Sequence, residues 1–201
     1  MKAVLISIQP KWCELIASTL NPKTGLKVKR IELRKNKPGI FFPFKCYIYQ
    51  TKKVWTYDIY SRIANSQQKV IGEFICDCIL SHCESENLSF ASNLSCVSKE
   101  EIIKYSKGKE VFGWNISDLV IYDEPKELSE FYTIDNEAIK KCGHRERVYN
   151  NPDYTNCAWL LGSYICNKDE PNWCEKCKTK PLTKPPQSWC FVEELVGDNN
   201  A

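Results

Sequence analysis

"KVKRIELRKNK" (27–37) is the stretch on which the fold reading turns. From Leu26 to Lys35 the hydropathy alternates with a period close to two, which predicts a strand with Ile31 and Leu33 on one face and Arg30, Glu32 and Arg34 on the other. Six basic side chains surround one acid, Glu32. Two readings of that acid stand: a member of an exposed ionic row that adds little stability, or a carboxylate aligned by Arg34 inside a cationic hollow. Strict alternation places Lys29 on the face opposite Glu32, so the two share a site only if Lys29 lies in the turn before the strand or at a bulge.

Upstream, "AVLISI" (3–8) reads as a buried strand leading into "QPKWCELIAST" (9–19), where Trp12, Leu15, Ile16 and Thr19 follow helical spacing and Pro10 suits the first turn. "NPKTG" (21–25) supplies the turn that releases the chain into the basic strand. Downstream, "FKCYIYQT" (44–51) is a strand, 52–68 a polar loop, and "KVIGEFICDCIL" (69–80) a long strand with Cys76 and Cys78 as small hydrophobes on one face. "SKEEIIKYSKG" (98–108) carries a Ser98–Glu101 capping box and predicts a short helix. "EVFGWNISDLVIYDEP" (110–125) predicts a strand pair or a bent strand, broken at Gly113 and Asp118 and stopped at Pro125, and "SWCFVEEL" (188–195) a closing strand. About six strands with two or three short helices in mixed order predict an α+β fold, a compact mixed β-barrel.

The chain has 201 residues, 43% of them apolar, enough for one core, so a single domain over 1–195 with a tail at 196–201 is expected. Net charge is only +3, but residues 23–53 hold ten Lys or Arg and one acid, a local +9, against 18 bases and 24 acids, or −6, elsewhere. A basic segment of this kind is a footprint for phosphates, although a Lys-rich edge strand has the same composition. The short apolar run at the N-terminus does not read as a signal segment and no stretch approaches a membrane span, so a cytoplasmic protein without membrane contact is expected.

Twelve cysteines in such a chain point to metal ligation or plain burial. Six fall within 142–190. Cys174 and Cys177 have the spacing that lets two thiolates share one tetrahedral zinc. Cys142 and Cys157 are the favoured second pair, with His144 and Cys166 as alternates. The expected metal is a structural zinc in an insertion at about 140–182, since four protein ligands leave no position for water.

"SIQPKWCELIAS" (7–18), followed after a turn by "VKRIELRK" (28–35), resembles the N-terminal signature of ASCH domains in the PUA-like superfamily, whose strand pattern K-x-x-E-x-R is met by Lys29, Glu32 and Arg34. "KVIGEF", "WNISDLVIYDEPKELSEF" and "PPQSWCFVEEL" resemble the version carried by bacterial prophages; the likeness spans most of 1–131 and 183–195. It implies a PUA-like barrel with a cleft beside the first helix and a role with RNA or nucleotides. Some members hydrolyse the acyl amide of N4-acetylcytidine with a lysine, a threonine and a glutamate; the lysine carries over to Lys29, whereas the threonine position is held by Glu32.

The leading expectation is therefore RNA or nucleotide binding, with Glu32, aligned by Arg34, reading a base edge, Lys11, Lys29 and Arg30 holding phosphate, Trp12 or Trp114 offering a stacking surface, and Gln9 completing the site. Trp12, at helical spacing with Leu15 and Ile16, equally suits the core. A hydrolase, either a ribonuclease or a modified-nucleoside amidohydrolase with Lys29 and Glu32 as catalytic groups, is the second expectation. A phage protein that sequesters a nucleotide signal or binds a host protein is the third.

Overall fold

The computed structural model describes residues 2–18, 27–52, 67–82, 85–133 and 180–195. Among these, eight strands and three α-helices form: β1 Lys2–Ile8, α1 Pro10–Ala17, β2 Ile31–Arg34, β3 Phe44–Gln50, β4 Val70–Cys76, β5 Ile79–His82, α2 Ser85–Ser95, α3 Lys99–Ser106, β6 Val111–Asn115, β7 Ser117–Lys126 and β8 Trp189–Glu193. Pro10 sits in the first turn of α1, where its missing N–H is not needed, and α3 starts at the Ser98–Glu101 capping box expected from the sequence.

The strands divide into two sheets, a five-stranded one in the order β7-β4-β3-β1-β8 and a three-stranded one in the order β2-β6-β5. Among the described strands β1 and β3 pair in parallel and the other registered pairs are antiparallel. The expected closed barrel of about six strands is thus replaced by two sheets. The physical reason lies at two corners. The 69–80 run, read as one strand, breaks at Asp77–Cys78 and passes from the larger sheet to the smaller; the 110–125 run breaks at Ile116 and passes back. Gly113 lies inside β6 and Asp118, at φ 45°, inside β7, so neither makes the break. Cys76 is buried at the end of β4, whereas Cys78 is exposed at the corner and does not share its face.

Alternation sorts the side chains into layers. Between the sheets, Val4, Ile6 and Ile8 of β1 pack with Cys13 and Ile16 of α1, Cys46 and Ile48 of β3, Phe74 of β4 and Trp114 of β6. The far side of the larger sheet buries Leu5, Tyr47 and Val192 under Phe131 and Leu182. The far side of the smaller sheet buries Ile31, Leu33 and Val111 under Ala91 and Ile102 of α2 and α3. Helix α2 is the element without a sequence expectation: its Ser- and Asn-rich "SENLSFASNLS" has little amphipathic signal, and it is helical because Ala91 and its apolar neighbours cover β2. The proposed insertion, with Cys142, His144, Cys157, Cys166, Cys174 and Cys177, lies outside the described residues.

Candidate functional site

β2 is shorter than the alternation suggested: it begins at Ile31, and residues 27–30 are an irregular segment before it. Lys29 therefore escapes the strand's alternation. The backbone N–H of Lys29 donates to Leu15 of α1, at 3.2 Å, and that of Arg30 to Leu94 of α2, at 2.8 Å, which pins the segment between two helices.

Within β2, Ile31 and Leu33 face the helices, so Glu32 and Arg34 face the larger sheet; Glu32 is registered opposite Trp114, whose ring lies in the core between the sheets. Glu32 Oε1 is 2.8 Å from Arg34 Nη1, and Glu32 Oε2 is 3.2 Å from Lys29 Nζ. Lys29 Nζ also donates to the Ser95 carbonyl at the end of α2, at 2.8 Å, and Arg34 Nη2 to the Ser7 carbonyl of β1, at 2.6 Å. Lys29 is 1% exposed and Glu32 4%. The exposed ionic row is thereby excluded. The three side chains form a buried chain of charge that ties α2, the smaller sheet and the larger sheet together.

Two features of this cluster go beyond a strut. It holds two cations and one carboxylate, an excess positive charge in a place where charge is poorly solvated. Glu32 Oε2, Arg34 Nε and Trp114 Nε1 are moreover buried with no hydrogen-bond partner among the described residues. Buried polar atoms in native folds are nearly always bonded, so an acceptor and two donors left open, two of them on residues directly opposed across the β2–β6 ladder, invite a ligand with the complementary groups. Cys13 Sγ donates to the Ile8 carbonyl beside α1, and burial, followed by the Glu32 charge, pushes its thiol well above the ordinary range.

The remaining expected residues lie around this core. Trp12 is half-buried against the apolar core, with Lys29 Nζ 5.0 Å and Lys11 Nζ 4.1 Å from its ring, a cation–π arrangement. Lys11 itself is exposed and paired with Glu101 of α3 at 3.6 Å. Gln9 is the exposed N-cap of α1, and its side chain makes no capping bond. Trp114 is fully buried, edge-on to Phe44 and 5.9 Å from Trp189, so its ring offers no open face for stacking, and its Nε1 is buried without a hydrogen-bond partner among the described residues.

Arg30, exposed, lines a cleft of ≈ 680 Å³ together with Lys27, Ser92, Asn93, Cys96 and Glu101. Residues 28 and 30 on one wall and 94 and 96 on the other bracket the Lys29–Ser95 hydrogen bond, so the cleft lies against the outer side of the buried cluster. The single cleft expected to hold Lys11, Lys29, Glu32 and Arg34 is thus two layers: an outer hollow with Lys27 and Arg30, and an inner cluster of Lys29, Glu32 and Arg34. Sequence reasoning passed over the wall from α2, above all the Ser95 carbonyl, because a backbone acceptor carries no side-chain signature. Among the described residues no group of His, Cys, Asp or Glu could hold a metal ion, and no helix is long and apolar enough to cross a membrane.

No protein-family model and no curated protein matches the sequence. Solved structures do. A serine-to-alanine variant of an ASCH protein from Zymomonas mobilis superposes with a TM-score of 0.52 at 15% identity, over 96% of this chain and 89% of that one. The unmodified protein gives 0.47 at 19% identity over 63% and 73%, and a tyrosine-to-phenylalanine variant 0.47 at 18% over 64% and 77%. The match to the first of these, over nearly the whole of this chain, gives the conclusion that this chain has the fold of an ASCH domain.

Proposed function

We propose that the protein binds single-stranded RNA or a free nucleotide, with a base edge held against Glu32 and phosphate held by lysine and arginine side chains. The observation that carries this reading is Glu32 Oε2: buried and ion-paired to Lys29, yet without a hydrogen bond. A carboxylate only accepts hydrogen bonds, and its Oε1 is occupied by Arg34, so a ligand offering an exocyclic amine and a ring N–H satisfies what remains. Arg34 Nε and Trp114 Nε1 supply donors for a base carbonyl or ring nitrogen. The excess positive charge of the cluster favours an anionic ligand, and Lys27 and Arg30 stand at the outer hollow, whose volume lies in the range of small-ligand sites. The ASCH-type fold and the resemblance of the N-terminal signature agree with an RNA or nucleotide partner.

The test is titration of the purified protein with short RNAs and with the four nucleoside monophosphates, followed for both complex and product. Glu32→Gln exchanges one acceptor for a donor; it is expected to weaken binding about tenfold or more and to alter base preference. Absence of binding by any of these at sub-millimolar concentration overturns the proposal. Turnover that Lys29→Ala abolishes overturns it in favour of the hydrolase.

On cysteine spacing alone we also propose a structural zinc held by Cys142, Cys157, Cys174 and Cys177, with His144 and Cys166 as alternates. Metal analysis of the purified chain should find one equivalent, released by chelation; a metal-free folded chain overturns it.

A further inference from the structure

The chain leaving β2 carries a second feature that the base-reading site does not use. Directly after Arg34 come Lys35 and Lys37, then Phe41 and Phe42, which are 77% and 49% exposed. Single exposed apolar residues are ordinary; here two adjacent rings stand exposed close in the chain to two exposed lysines. The segment is anchored: Ile40 packs against the core between the sheets, and the Phe42 ring lies 5.5 Å from that of buried Phe44. Lys35 Nζ sits 4.8 Å from the ring of Tyr105 on α3, itself part-exposed, and Lys37 Nζ 5.6 Å from the ring of Phe112, which is registered opposite Arg34. Rings held in place and interleaved with cations are what successive unpaired bases and their phosphates stack and pair on.

We propose that residues 35–43, with Tyr105, form a second docking segment for single-stranded RNA, so that the ligand is a strand of several nucleotides in which one base reaches Glu32 and its neighbours stack on Phe41 and Phe42. This rests on the reading of the Glu32 site given above. The argument for this occupant is charge and continuity. The exposed cations Lys35 and Lys37 follow Lys27 and Arg30 of the outer hollow along the chain, so the surface complements a polyanion. An anionic lipid surface would also meet lysines and phenylalanines, but Glu32 is buried, and a headgroup fixed in a bilayer plane reaches a buried acceptor less readily than a base splayed out from a single strand.

The experiment compares dissociation constants of the full chain for a mixed-sequence RNA octamer and for the nucleoside monophosphate it binds best, across salt, with phosphatidylserine vesicles as a parallel probe. Phe41→Ala with Phe42→Ala is expected to weaken the octamer about tenfold or more and to leave the mononucleotide unchanged. Lys35→Ala with Lys37→Ala should flatten the slope of log affinity against log salt by about 1.4, roughly 0.7 for each phosphate no longer neutralised. Both pairs are on the surface, and unchanged thermal midpoints confirm the fold. If the octamer binds no tighter than the mononucleotide, or if the loop variants bind it as the parent does, the second docking segment is overturned while a Glu32→Gln loss still upholds the base site. Vesicle binding that depends on the phenylalanines, with octamer binding unaltered, overturns it in favour of a membrane surface. No binding of either nucleotide or octamer removes the base site and this segment's role together.

Discussion

Lys29 Nζ lies 3.2 Å from Glu32 Oε2 although the two residues belong to opposite phases of the alternation, because Lys29 precedes the strand that Glu32 occupies. The pair is asymmetric in its surroundings. Glu32 has a second cation in Arg34, whereas Lys29 has no second carboxylate among the described residues, only the Ser95 carbonyl and the face of Trp12.

That asymmetry predicts unequal costs. Glu32→Leu leaves two cations facing each other in the interior and should destabilise the fold by about 3–5 kcal/mol. Lys29→Met leaves the Glu32–Arg34 pair intact and orphans the Ser95 carbonyl, at a cost of about 1–3 kcal/mol. Urea unfolding midpoints compare the two. Equal losses would show that the third charge has no part in the balance.

Glycine placement makes a second contrast. At Gly72 of β4 a Cβ would collide with the Val120 carbonyl oxygen of β7, backbone that cannot rotate away. Gly72→Ala is therefore expected to lose about 1–3 kcal/mol by forcing β7 off its partner. Gly39, with nothing near its Cβ position and φ outside the left-handed region, should accept alanine with a gain of up to about 1 kcal/mol. Thermal midpoints of the two variants should move in opposite directions.

The outer face of the larger sheet holds a separate ionic group. Lys45 Nζ is 3.0 Å from Glu73 and 3.4 Å from Glu194, and the Tyr122 hydroxyl donates to Glu73 at 2.5 Å. Burial works to lower the Lys45 value, but the Glu73 hydrogen bond and charge outweigh it and hold it above the ordinary 10.5. Burial, and then Glu73, push the Tyr122 phenol above its ordinary 10.0. In both cases the unfolded chain releases its proton first. The stabilisation is complete below about pH 10 and declines as pH rises from there toward the folded values. Tyr122→Phe should lower stability at pH 8 and give a shallower alkaline decline, so that parent and variant curves converge above pH 10. Unfolding midpoints measured from pH 7 to 11 check this; parallel curves would rule out the proton linkage.

Thiol chemistry should separate the described cysteines in order. Cys78 is exposed at the sheet corner, with its thiol only raised from 9.0 by modest burial and Asp77. Burial pushes Cys190 up to about 11 and Cys76 to about 12, and holds Cys13 and Cys46 well above the ordinary range. Alkylation at pH 8, mapped peptide by peptide, is expected to label Cys78 first and Cys13 and Cys46 only on unfolding. Early labelling of Cys13 would mean that the cover beside α1 opens readily.

Much of the fold was legible because local chemistry states it: Pro10 and the Ser98–Glu101 capping box mark two helix starts, short apolar runs mark β1 and β3, and alternation marks β8. The corners at Asp77–Cys78 and Ile116 were not. Apolar residues resume directly beyond each corner, so each run reads as one strand across the bend. Helix α2 was silent for a related reason, since its helicity comes from the surface it covers rather than from its own pattern.

The order of residues alone determined that an acid would stand among cations on a strand following the first helix, because composition and the two-residue repeat are local properties. Only tertiary structure decided that Lys29 joins that acid, that the group is enclosed between two sheets, and that Trp114 faces it as a core residue. Those outcomes depend on where β2 begins and on which carbonyls α2 and β1 bring to it, and such meetings of distant segments are set by packing.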